Sequence, residues 1–245
     1  MRMKTDGLYD DDLVFDEDTH TYSLLSDVDA EFVSATALVH SYSRPFNTSK
    51  EAEKYAIKHG REAAEVLAEW EAAGELARTL GTRVHAYAEQ CALDVGRWGC
   101  RKTSPDTDCG YSLAVATFYD RHPELFYGIL QPEARICDRI HGVAGSVDLV
   151  GSVDGIPSVV DFKTSQSIDW FSSTKMYSPI NHLPDRNAWH YAMQLSVYAT
   201  ILRHYDYQAE QLIIVHLGSR GTMREVRMPY LQWEAEEIIQ RGPRK

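Results

Sequence analysis

The chain has 245 residues, of which 44% are apolar, so it is long enough and apolar enough to bury a substantial core. Its net charge of −11 argues against nonspecific nucleic-acid binding over the whole surface, although the acidic residues are concentrated in the first 35 positions and leave room for local basic grooves elsewhere. The sequence has no run of 18 apolar residues and no charged-then-apolar leader, so we expect neither a transmembrane nor a secreted chain.

The first predicted elements are a hairpin and a short helix. A hairpin is predicted over residues 13–25, with a polar turn between its strands. Ser34 or Thr36 is the candidate N-cap of a helix that continues through His40. This helix should end before Pro45, because the residue that precedes a proline disfavours the α conformation.

Two longer helices are predicted next, over residues 49–73 and 75–93, with Gly74 as the break between them. The second helix has an apolar stripe with the 3.6-residue period of a core-facing surface. His85 lies on this helix, and Glu89 follows one turn later on the same face. A single helical histidine is more often structural than a ligand, and both roles stay open at this point.

The strongest local signal is a β-hairpin in the middle of the chain. Two β-branched, apolar segments, residues 143–152 and 157–164, flank Asp154-Gly155, a typical sequence for a two-residue type I′ turn. A two-residue loop places Asp148 directly opposite Asp161 on the neighbouring strand. The hairpin therefore brings two carboxylates together.

Two facing carboxylates repel each other, so the pair costs stability unless another group holds it. A Mg²⁺ ion suits the pair, because proteins usually hold it by one or two carboxylates together with water and phosphate. Lys163 shares the face of Asp161 and adds a positive charge. The alternative is a solvated carboxylate pair with Lys163 as its salt-bridge partner. If repulsion dominates, Asp148→Asn should melt at or above the wild-type temperature without metal.

The other predicted elements surround this hairpin. They are strands over residues 131–139, 211–217 and 223–228, and helices over residues 111–119, 188–203 and 230–240. Glu133 lies on the strand that leads into the hairpin, and Gln194 and Tyr198 share one face of the long helix. Residues 165–187 form a polar and aromatic connection, and a loop of more than about 15 residues is usually functional or disordered.

Several common chemistries lack support in the sequence. The four cysteines form no Cys-x-x-Cys pair, which predicts reduced intracellular thiols. No Gly-x-Ser-x-Gly motif is present, which argues against a serine hydrolase. No Walker A sequence is present either, so we expect no ATP cofactor.

The motifs occur in a fixed order that is more specific than any one of them. The ordered set is Gly81-Thr82-x-Val84-His85, Glu133, Gly145-x-x-Asp148, Asp161-x-Lys163-Thr164 and Gln194-x-x-x-Tyr198. It resembles the PD-(D/E)xK nuclease superfamily, and within it the RecB-like and phage-type exonuclease branch, over roughly residues 80–217. The segment Phe15-Asp16-x-x-Thr19-His20-x-Tyr22 also looks like the entry hairpin of phage-type members. The chain departs from the family at Val147, where the family has proline, and at Asp161, where it commonly has glutamate.

The resemblance implies a mixed α/β fold and two regions. The expected core is restriction-endonuclease-like, with a central mixed sheet flanked by helices, an N-terminal hairpin and a helical segment. We assign residues 1–75 to an accessory region and residues 76–245 to the nuclease core. Together the two regions are expected to form one compact domain.

The resemblance also implies roles for individual residues. The implied metal ligands are His85, Asp148, Asp161 and the carbonyl of Phe162. The implied catalytic residues are Asp148, Asp161, Lys163, Glu133 and Gln194. In the family's pattern the lysine orients or activates the attacking water, and the glutamate is an auxiliary acid near the metal. The expected DNA-binding residues are Gln194, Tyr198, Trp170, Lys175 and Tyr177.

The implied function is a DNA exonuclease that uses one or two Mg²⁺ or Mn²⁺ ions and acts in recombination, repair or phage DNA processing. An endonuclease or nickase with the same site, and a nucleic-acid-binding module without turnover, are the alternatives. We expect no iron–sulfur cluster, because no cysteine follows Cys137. The expected partners are DNA and a recombinase, annealing protein or helicase, with no membrane, in the cytoplasm of a bacterium or a phage-infected host cell. The connection over residues 165–187 should grip DNA, with bases stacked on its aromatic side chains, and be mobile without it.

Overall fold

The computed structural model describes residues 10–16, 19, 21–106 and 109–244. His20 of the predicted entry hairpin lies outside the described residues. Within the described ranges, a six-stranded mixed sheet carries helices on both faces, and a separate two-stranded hairpin lies beside it. The mixed α/β fold predicted from the sequence is confirmed.

The order of strands and helices also follows the prediction closely. The described strands are β1 Leu13–Asp16, β2 Thr21–Leu24, β3 Val33–Ser34, β4 Leu130–Asp138, β5 Val143–Val153, β6 Ile156–Lys163, β7 Gln211–Leu217 and β8 Met223–Met228. The described α-helices are α1 Ala35–Ser41, α2 Thr48–His59, α3 Ala63–Trp98, α4 Gly110–Arg121, α5 Asn187–Leu202 and α6 Gln232–Arg241. Ser34 caps α1 by accepting a hydrogen bond from the backbone N–H of Ala37, at 3.1 Å. The two-residue strand β3 has no counterpart in the prediction.

The predicted hairpin register is correct. The β5–β6 ladder runs from Leu149, paired with Val160, to the tight turn at Asp154-Gly155. Both turn residues have positive φ, 54° and 77°, as a type I′ turn requires. Because the turn fixes the register, every other residue pair of the β5–β6 ladder follows from it.

Strand β5 is the centre of the sheet and has an opening on one of its edges. Ala144 pairs with both β4 and β3, and Leu149 pairs with both β4 and β6. A strand has two hydrogen-bonding edges, so β4 occupies one of them, and β3 and β6 share the other. Residues 145–148 lie between β3 and β6, with no described strand partner on that edge. We call this opening the β5 gap.

Helices cover both faces of the sheet. Helices α3 and α4 pack on one face against Val160 and Phe162 of β6. Helices α1, α5 and α6 pack on the other face, against Val159. Side chains alternate along a strand, so Asp161 and Lys163 point to the same face as Val159, toward α5.

The predicted break at Gly74 is wrong. The helical segment breaks at Gly60, which has φ +63° and ends α2 in a left-handed C-cap. Helix α3 then runs without interruption through Gly74 to Trp98. An interior glycine costs only about 1 kcal/mol relative to alanine, which the surrounding alanine- and glutamate-rich sequence tolerates. The division of the chain after residue 75 stays a prediction, and it falls inside α3.

The connection between β6 and α5 is anchored along much of its length. Met176, Ile180 and Leu183 are buried in the core that faces α5. The backbone N–H of Met176 also donates to the carbonyl of Leu183, at 3.1 Å. The prediction that the whole connection is mobile without DNA is therefore wrong for residues 176–183, because moving them would expose buried apolar side chains.

His122, which follows α4, contacts carboxylates from distant parts of the chain. It is buried, and its Nδ1 lies 2.8 Å from Glu124 and its Nε2 3.1 Å from Glu225 of β8. Burial alone would lower the pKa of His122, but the hydrogen bonds to Glu225 and Glu124 outweigh it and raise the pKa.

Two further predictions concern membrane spans and cysteine chemistry. Among the described helices, none combines the length and the apolar composition that crossing a bilayer requires. All four cysteines have free thiols.

Candidate active site

Asp148 lies in the β5 gap, where β5 parts from β6. Its Oδ2 accepts a hydrogen bond from the backbone N–H of Phe162, at 2.8 Å, and lies 3.1 Å from Nδ1 of His85 on α3. The carboxylate thus takes the place of a carbonyl acceptor on the β6 edge. The charge of Asp148 raises the pKa of His85 to about 9. Burial alone would raise the pKa of Asp148, but the His85 imidazolium outweighs it and holds this pKa below its usual value.

Asp161 and Lys163 form a buried ion pair on the α5 side of the sheet. Nζ of Lys163 lies 3.0 Å from Oδ1 and 2.7 Å from Oδ2 of Asp161. Burial raises the pKa of Asp161, with the charge of Asp148 adding to the effect and Lys163 opposing it. Burial would lower the pKa of Lys163, but the two carboxylates raise it, so the amine carries its charge at neutral pH.

One oxygen of this pair has remaining acceptor capacity. Oδ2 of Asp161 is fully buried, and its contact is the ion pair with Nζ of Lys163, at 2.7 Å. An ionised carboxylate has about four lone-pair sites, so this oxygen can bind a further electropositive group. The atom therefore suits a cation ligand.

Glu133 faces Asp148 across the β4–β5 ladder in an unusual backbone conformation. Its φ is +42°, and the ladder omits Glu133 and Asp148 although the pairs on both sides form. A non-glycine residue with positive φ is strained, and such strain is common at functional sites. The carboxylate of Glu133 accepts from the hydroxyl of Ser146 at 2.6 Å, and burial followed by the charge of Asp148 raises its pKa to about 7.

His85, Glu133 and Asp148 form a set of potential metal ligands. One ligand atom of each lies within 4.8 Å of the others. Imidazole nitrogen and carboxylate oxygen suit Mn²⁺ and related divalent ions, and carboxylate oxygens suit Mg²⁺. The donor set thus fits the predicted cation. It includes Glu133, which the sequence assigned an auxiliary role, while Asp161 is adjacent and paired with Lys163.

Gln194 and Tyr198 meet in the way that their spacing predicts, but only one of them is accessible. Nε2 of Gln194 donates to the hydroxyl of Tyr198 at 3.0 Å and to Oγ1 of Thr36 at 3.2 Å. Tyr198 is only 4% exposed, and its ring occupies the space above Gly145. A Cβ at Gly145 would lie 2.5 Å from that ring, which explains why the position needs glycine. Tyr198 therefore packs against Gly145 and orients Gln194, and the role of Tyr198 in DNA binding stays a prediction.

A cavity of about 340 Å³ opens beside Lys163. Most of its lining residues carry a polar group, and they come from α1, β6 and α5: Thr36, Val39, His40, Lys163, Asn187, His190, Tyr191 and Gln194. Nε2 of His190 is hydrogen-bonded to Oδ1 of Asp185, at 2.7 Å. The volume lies within the usual size range of small-ligand sites.

The three predicted DNA-binding residues of the connection lie outside this cavity lining. Trp170 packs edge-to-face on Trp189, with centroids 5.2 Å apart. Lys175 donates to the carbonyl of His182 at 3.1 Å. Tyr177 contacts the guanidinium groups of Arg44 and Arg244.

Sequence reasoning did not assign several residues that line or support the site. His40 and His190 line the cavity, and Ser146 holds Glu133. The alternation of β5 places Ser146 and Asp148 on the same face, which was an available signal. Nothing local to His40 or His190 indicates that α1 and α5 meet.

Comparisons with known proteins add little to this geometry. No family model and no curated protein matches the sequence. Among solved structures, the chain is similar to SSO0001, with 17% identity and a TM-score of 0.34 over 87% of this chain and 76% of that chain. It is also similar to a candidate exonuclease from Eubacterium rectale, with 12% identity and a TM-score of 0.37 over 87% and 79%. Both TM-scores are low, so the assignment of the site depends on this chain's own residues.

Proposed function

We propose that this chain is a divalent-metal-dependent deoxyribonuclease that hydrolyses phosphodiester bonds at DNA ends, in recombination, repair or phage DNA processing. The observation that carries the proposal is the convergence of Asp148, Asp161 and Lys163 at the β5 gap, next to His85. Paired carboxylates, a charged lysine and a histidine are the groups that metal-assisted phosphoryl transfer requires. The ordered motifs that resemble the PD-(D/E)xK superfamily support the same function.

The residues that would hold the cation are His85, Asp148, Asp161 and Glu133, with the carbonyl of Phe162 as the further ligand that the resemblance implies. The remaining acceptor capacity of the buried Asp161 carboxylate and the close donor set around Asp148 are the observations that favour this assignment. When bound, a divalent ion lowers the pKa of a coordinated water and stabilises negative charge on phosphate oxygens. The strained backbone of Glu133 fits a residue kept in place for such a role.

Lys163 supplies a fixed positive charge at the reacting phosphate. Asp161 holds its amine at 2.7–3.0 Å, and the ring of Tyr191 lies 5.2 Å from the same nitrogen. The lysine is thereby directed toward the cavity instead of bulk solvent. In the proposed reaction it orients the attacking water or contacts the phosphate, and Glu133, with a pKa of about 7, can hold a proton beside it.

The test is cleavage of matched linear and covalently closed circular DNA with Mn²⁺ or Mg²⁺. An exonuclease degrades linear DNA and leaves the circles intact. Cleavage of both forms would replace this proposal by an endonuclease or nickase. Binding without cleavage of either form, in wild type with both metals, would leave only a nucleic-acid-binding module.

A pair of variants shows whether cleavage belongs to this chain. Lys163→Met keeps the length of the side chain and removes the charge, so it should bind DNA and not cleave it. Arg121→Gln removes an exposed charge from α4, on the opposite face of the sheet, and should cleave as wild type does. Equal cleavage by the two variants would point to a contaminating nuclease or to a different site.

A further inference from the structure

Two arginines stack on the ring of Tyr177, beyond the cavity at Lys163, and two further basic residues, Lys175 and Arg186, belong to the same connection between β6 and α5. We call Arg44, Lys175, Arg186, Arg244 and Tyr177 the Tyr177 patch. The guanidinium carbons of Arg44 and Arg244 lie 3.9 Å and 3.5 Å from the centroid of the Tyr177 ring. Two guanidinium groups this close to one ring cannot share a face, so they cover opposite faces and lie about 7 Å apart.

The positive charges of the Tyr177 patch are not neutralised. Among the described residues, no carboxylate oxygen lies within 4.0 Å of the side-chain nitrogens of its three arginines or its lysine. The nearby carboxylates have other partners: Asp185 pairs with His190 and accepts from the backbone N–H of Arg44, and Glu237 pairs with Arg241. On a chain with a net charge of −11, a group of unpaired cations is a local basic surface of the kind that binds a polyanion.

The cations are held in position by neutral groups. Nε of Arg44 donates to the carbonyl of Lys175 at 3.1 Å, and Nε of Arg186 donates to the carbonyl of Phe171 at 3.1 Å. The backbone N–H of Arg244 donates to the hydroxyl of Ser41 at 3.0 Å. The side-chain bonds orient the guanidinium groups of Arg44 and Arg186 and leave their terminal nitrogens available, which is the arrangement that phosphate recognition by arginine uses. The guanidinium of Arg244 is held by the ring of Tyr177, and the bond to Ser41 holds its backbone.

The Tyr177 patch continues directly from the cavity at Lys163. His190 lines that cavity, and its Nε2 also contacts the hydroxyl of Ser43 at 3.2 Å and Asp185 at 2.7 Å. Ser43 and Asp185 are the chain neighbours of Arg44 and Arg186. The one acidic side chain among these residues, Asp185, is only 10% exposed and is paired with His190, so a strand that enters the cavity can reach the patch past it.

The sequence assigned Tyr177 to base stacking, but both of its faces are already covered. The ring therefore serves to separate and orient two arginines. Two charges about 7 Å apart on one side of a cavity suit successive phosphates of one extended strand. We propose that the Tyr177 patch binds the phosphate backbone of a single DNA strand that passes through the cavity at Lys163. This inference rests on the proposed nuclease function and adds the path of its substrate.

The experiment measures binding of a labelled oligothymidine by fluorescence anisotropy, in EDTA so that no cleavage occurs, at several salt concentrations. Each phosphate contact contributes about 0.7 to the slope of log affinity against log salt for single strands. The double variant Arg44→Gln/Arg244→Gln should therefore lower the slope by about 1.4 and weaken binding about 25-fold at 0.1 M salt. The variant Arg44→Lys/Arg244→Lys keeps both charges and should keep most of the slope.

The matched control is Arg121→Gln/Arg220→Gln, which removes two exposed arginines from the α4 side of the sheet. This control should change affinity less than about twofold, since phosphate contacts are local. Equal losses in control and patch variants, or no loss in either, would overturn the proposal. If the glutamine double variant fails to fold by circular dichroism, Arg244→Gln alone should lower the slope by about 0.7.

Two further measurements separate this proposal from binding of an acidic polypeptide and from the proposed nuclease function. If polyglutamate of equal charge displaces the oligothymidine as well as unlabelled oligothymidine does, the patch binds acidic polypeptide and the proposal is wrong. Cleavage of linear DNA by wild type with Mn²⁺, measured in parallel, tests the nuclease function itself. Cleavage without a patch effect overturns the path alone, and a patch effect without cleavage overturns the nuclease function alone.

Discussion

Asp148→Asn is the substitution for which charge repulsion and the observed contacts predict opposite effects on stability. Repulsion between facing carboxylates alone predicts a variant as stable as wild type, or more stable, without metal. In the structure, Oδ2 of Asp148 accepts from the backbone N–H of Phe162 and contacts Nδ1 of His85. An asparagine oxygen in the same place keeps both contacts but loses the charge, so the variant should be less stable.

The magnitude follows from the change of a charged acceptor to a neutral one. A hydrogen bond to a charged group contributes about 1.5–3 kcal/mol, and one between neutral groups about 0.5–1.5 kcal/mol. The expected loss is therefore about 1–1.5 kcal/mol for the contact with Phe162 alone, which lowers the melting temperature of a chain of this length by about 3–5 °C, and the lost ion pair with His85 adds to it. Asp148→Ala should lose more, because it leaves the N–H of Phe162 without its acceptor.

Mn²⁺ should increase the difference between the two proteins. A ligand at a hundred times its Kd stabilises the native state by about 2.7 kcal/mol, or roughly 5–10 °C here. Wild type should gain this amount, and Asp148→Asn should gain much less because it has lost a charged ligand.

The assay is thermal melting by circular dichroism at pH 7, in EDTA and in a series of Mn²⁺ concentrations. Asp29→Asn removes an exposed carboxylate outside the site and should follow wild type in both conditions. If Asp148→Asn melts at or above wild type in EDTA, the contact with His85 does not contribute as argued. If both proteins gain equally from Mn²⁺, Asp148 is not a ligand.

Three other changes test separate parts of the structure. Lys163→Ala should lower the cleavage rate at least about a hundredfold, as removal of a transition-state donor does, while the Mn²⁺-dependent rise in melting temperature stays nearly unchanged. Gly145→Ala should lower the free energy of unfolding in urea by about 1–3 kcal/mol and reduce cleavage, because its Cβ would displace the ring of Tyr198. His122→Gln should lower the free energy of unfolding by about 1.5–3 kcal/mol below pH 6, where histidine is charged in both the folded and unfolded states, and by less as the pH rises through the raised pKa of the folded state.

Each of these three changes has its own control. Retention of more than a few per cent of wild-type cleavage by Lys163→Ala would remove the lysine from its assigned role. Gly74→Ala meets only the flexible end of Arg78, at 3.6 Å, and should raise stability slightly; a loss like that of Gly145→Ala would show a general intolerance of alanine. His204→Gln lies on the surface and should show no pH-dependent difference, and a profile for His122→Gln that is equally flat would contradict the buried ion pairs.

The part of the fold that sequence predicts best is the part that local chemistry fixes. Asp154-Gly155 determines the turn, the turn determines the register, and the alternation of side chains then places Asp161 and Lys163 on one face. The order of strands and helices along the chain, on both sides of this hairpin, follows from the patterns of period 2 and 3.6.

The features that sequence did not predict depend on contacts between distant segments. The two-residue strand β3 occupies the edge of β5 because the chain returns from residue 33 to residue 143, and no local pattern indicates that pairing. The positive φ of Glu133 results from its place opposite Asp148 in the assembled sheet. Likewise, the aromatic character of Tyr177 suggested stacking on a base, whereas two arginines from distant segments already stack on it.

The hydrogen bond from the amide of Phe162 to the carboxylate of Asp148 also has a spectroscopic consequence. An amide proton bonded to an ionised carboxylate resonates at a different chemical shift from one bonded to a neutral acceptor, and this amide lies between Asp161 and Lys163 in the chain. One cross-peak in a proton–nitrogen correlation spectrum therefore reports the charge at the centre of the site. Diamagnetic Mg²⁺ can be titrated against that single resonance, without DNA, a label or any turnover.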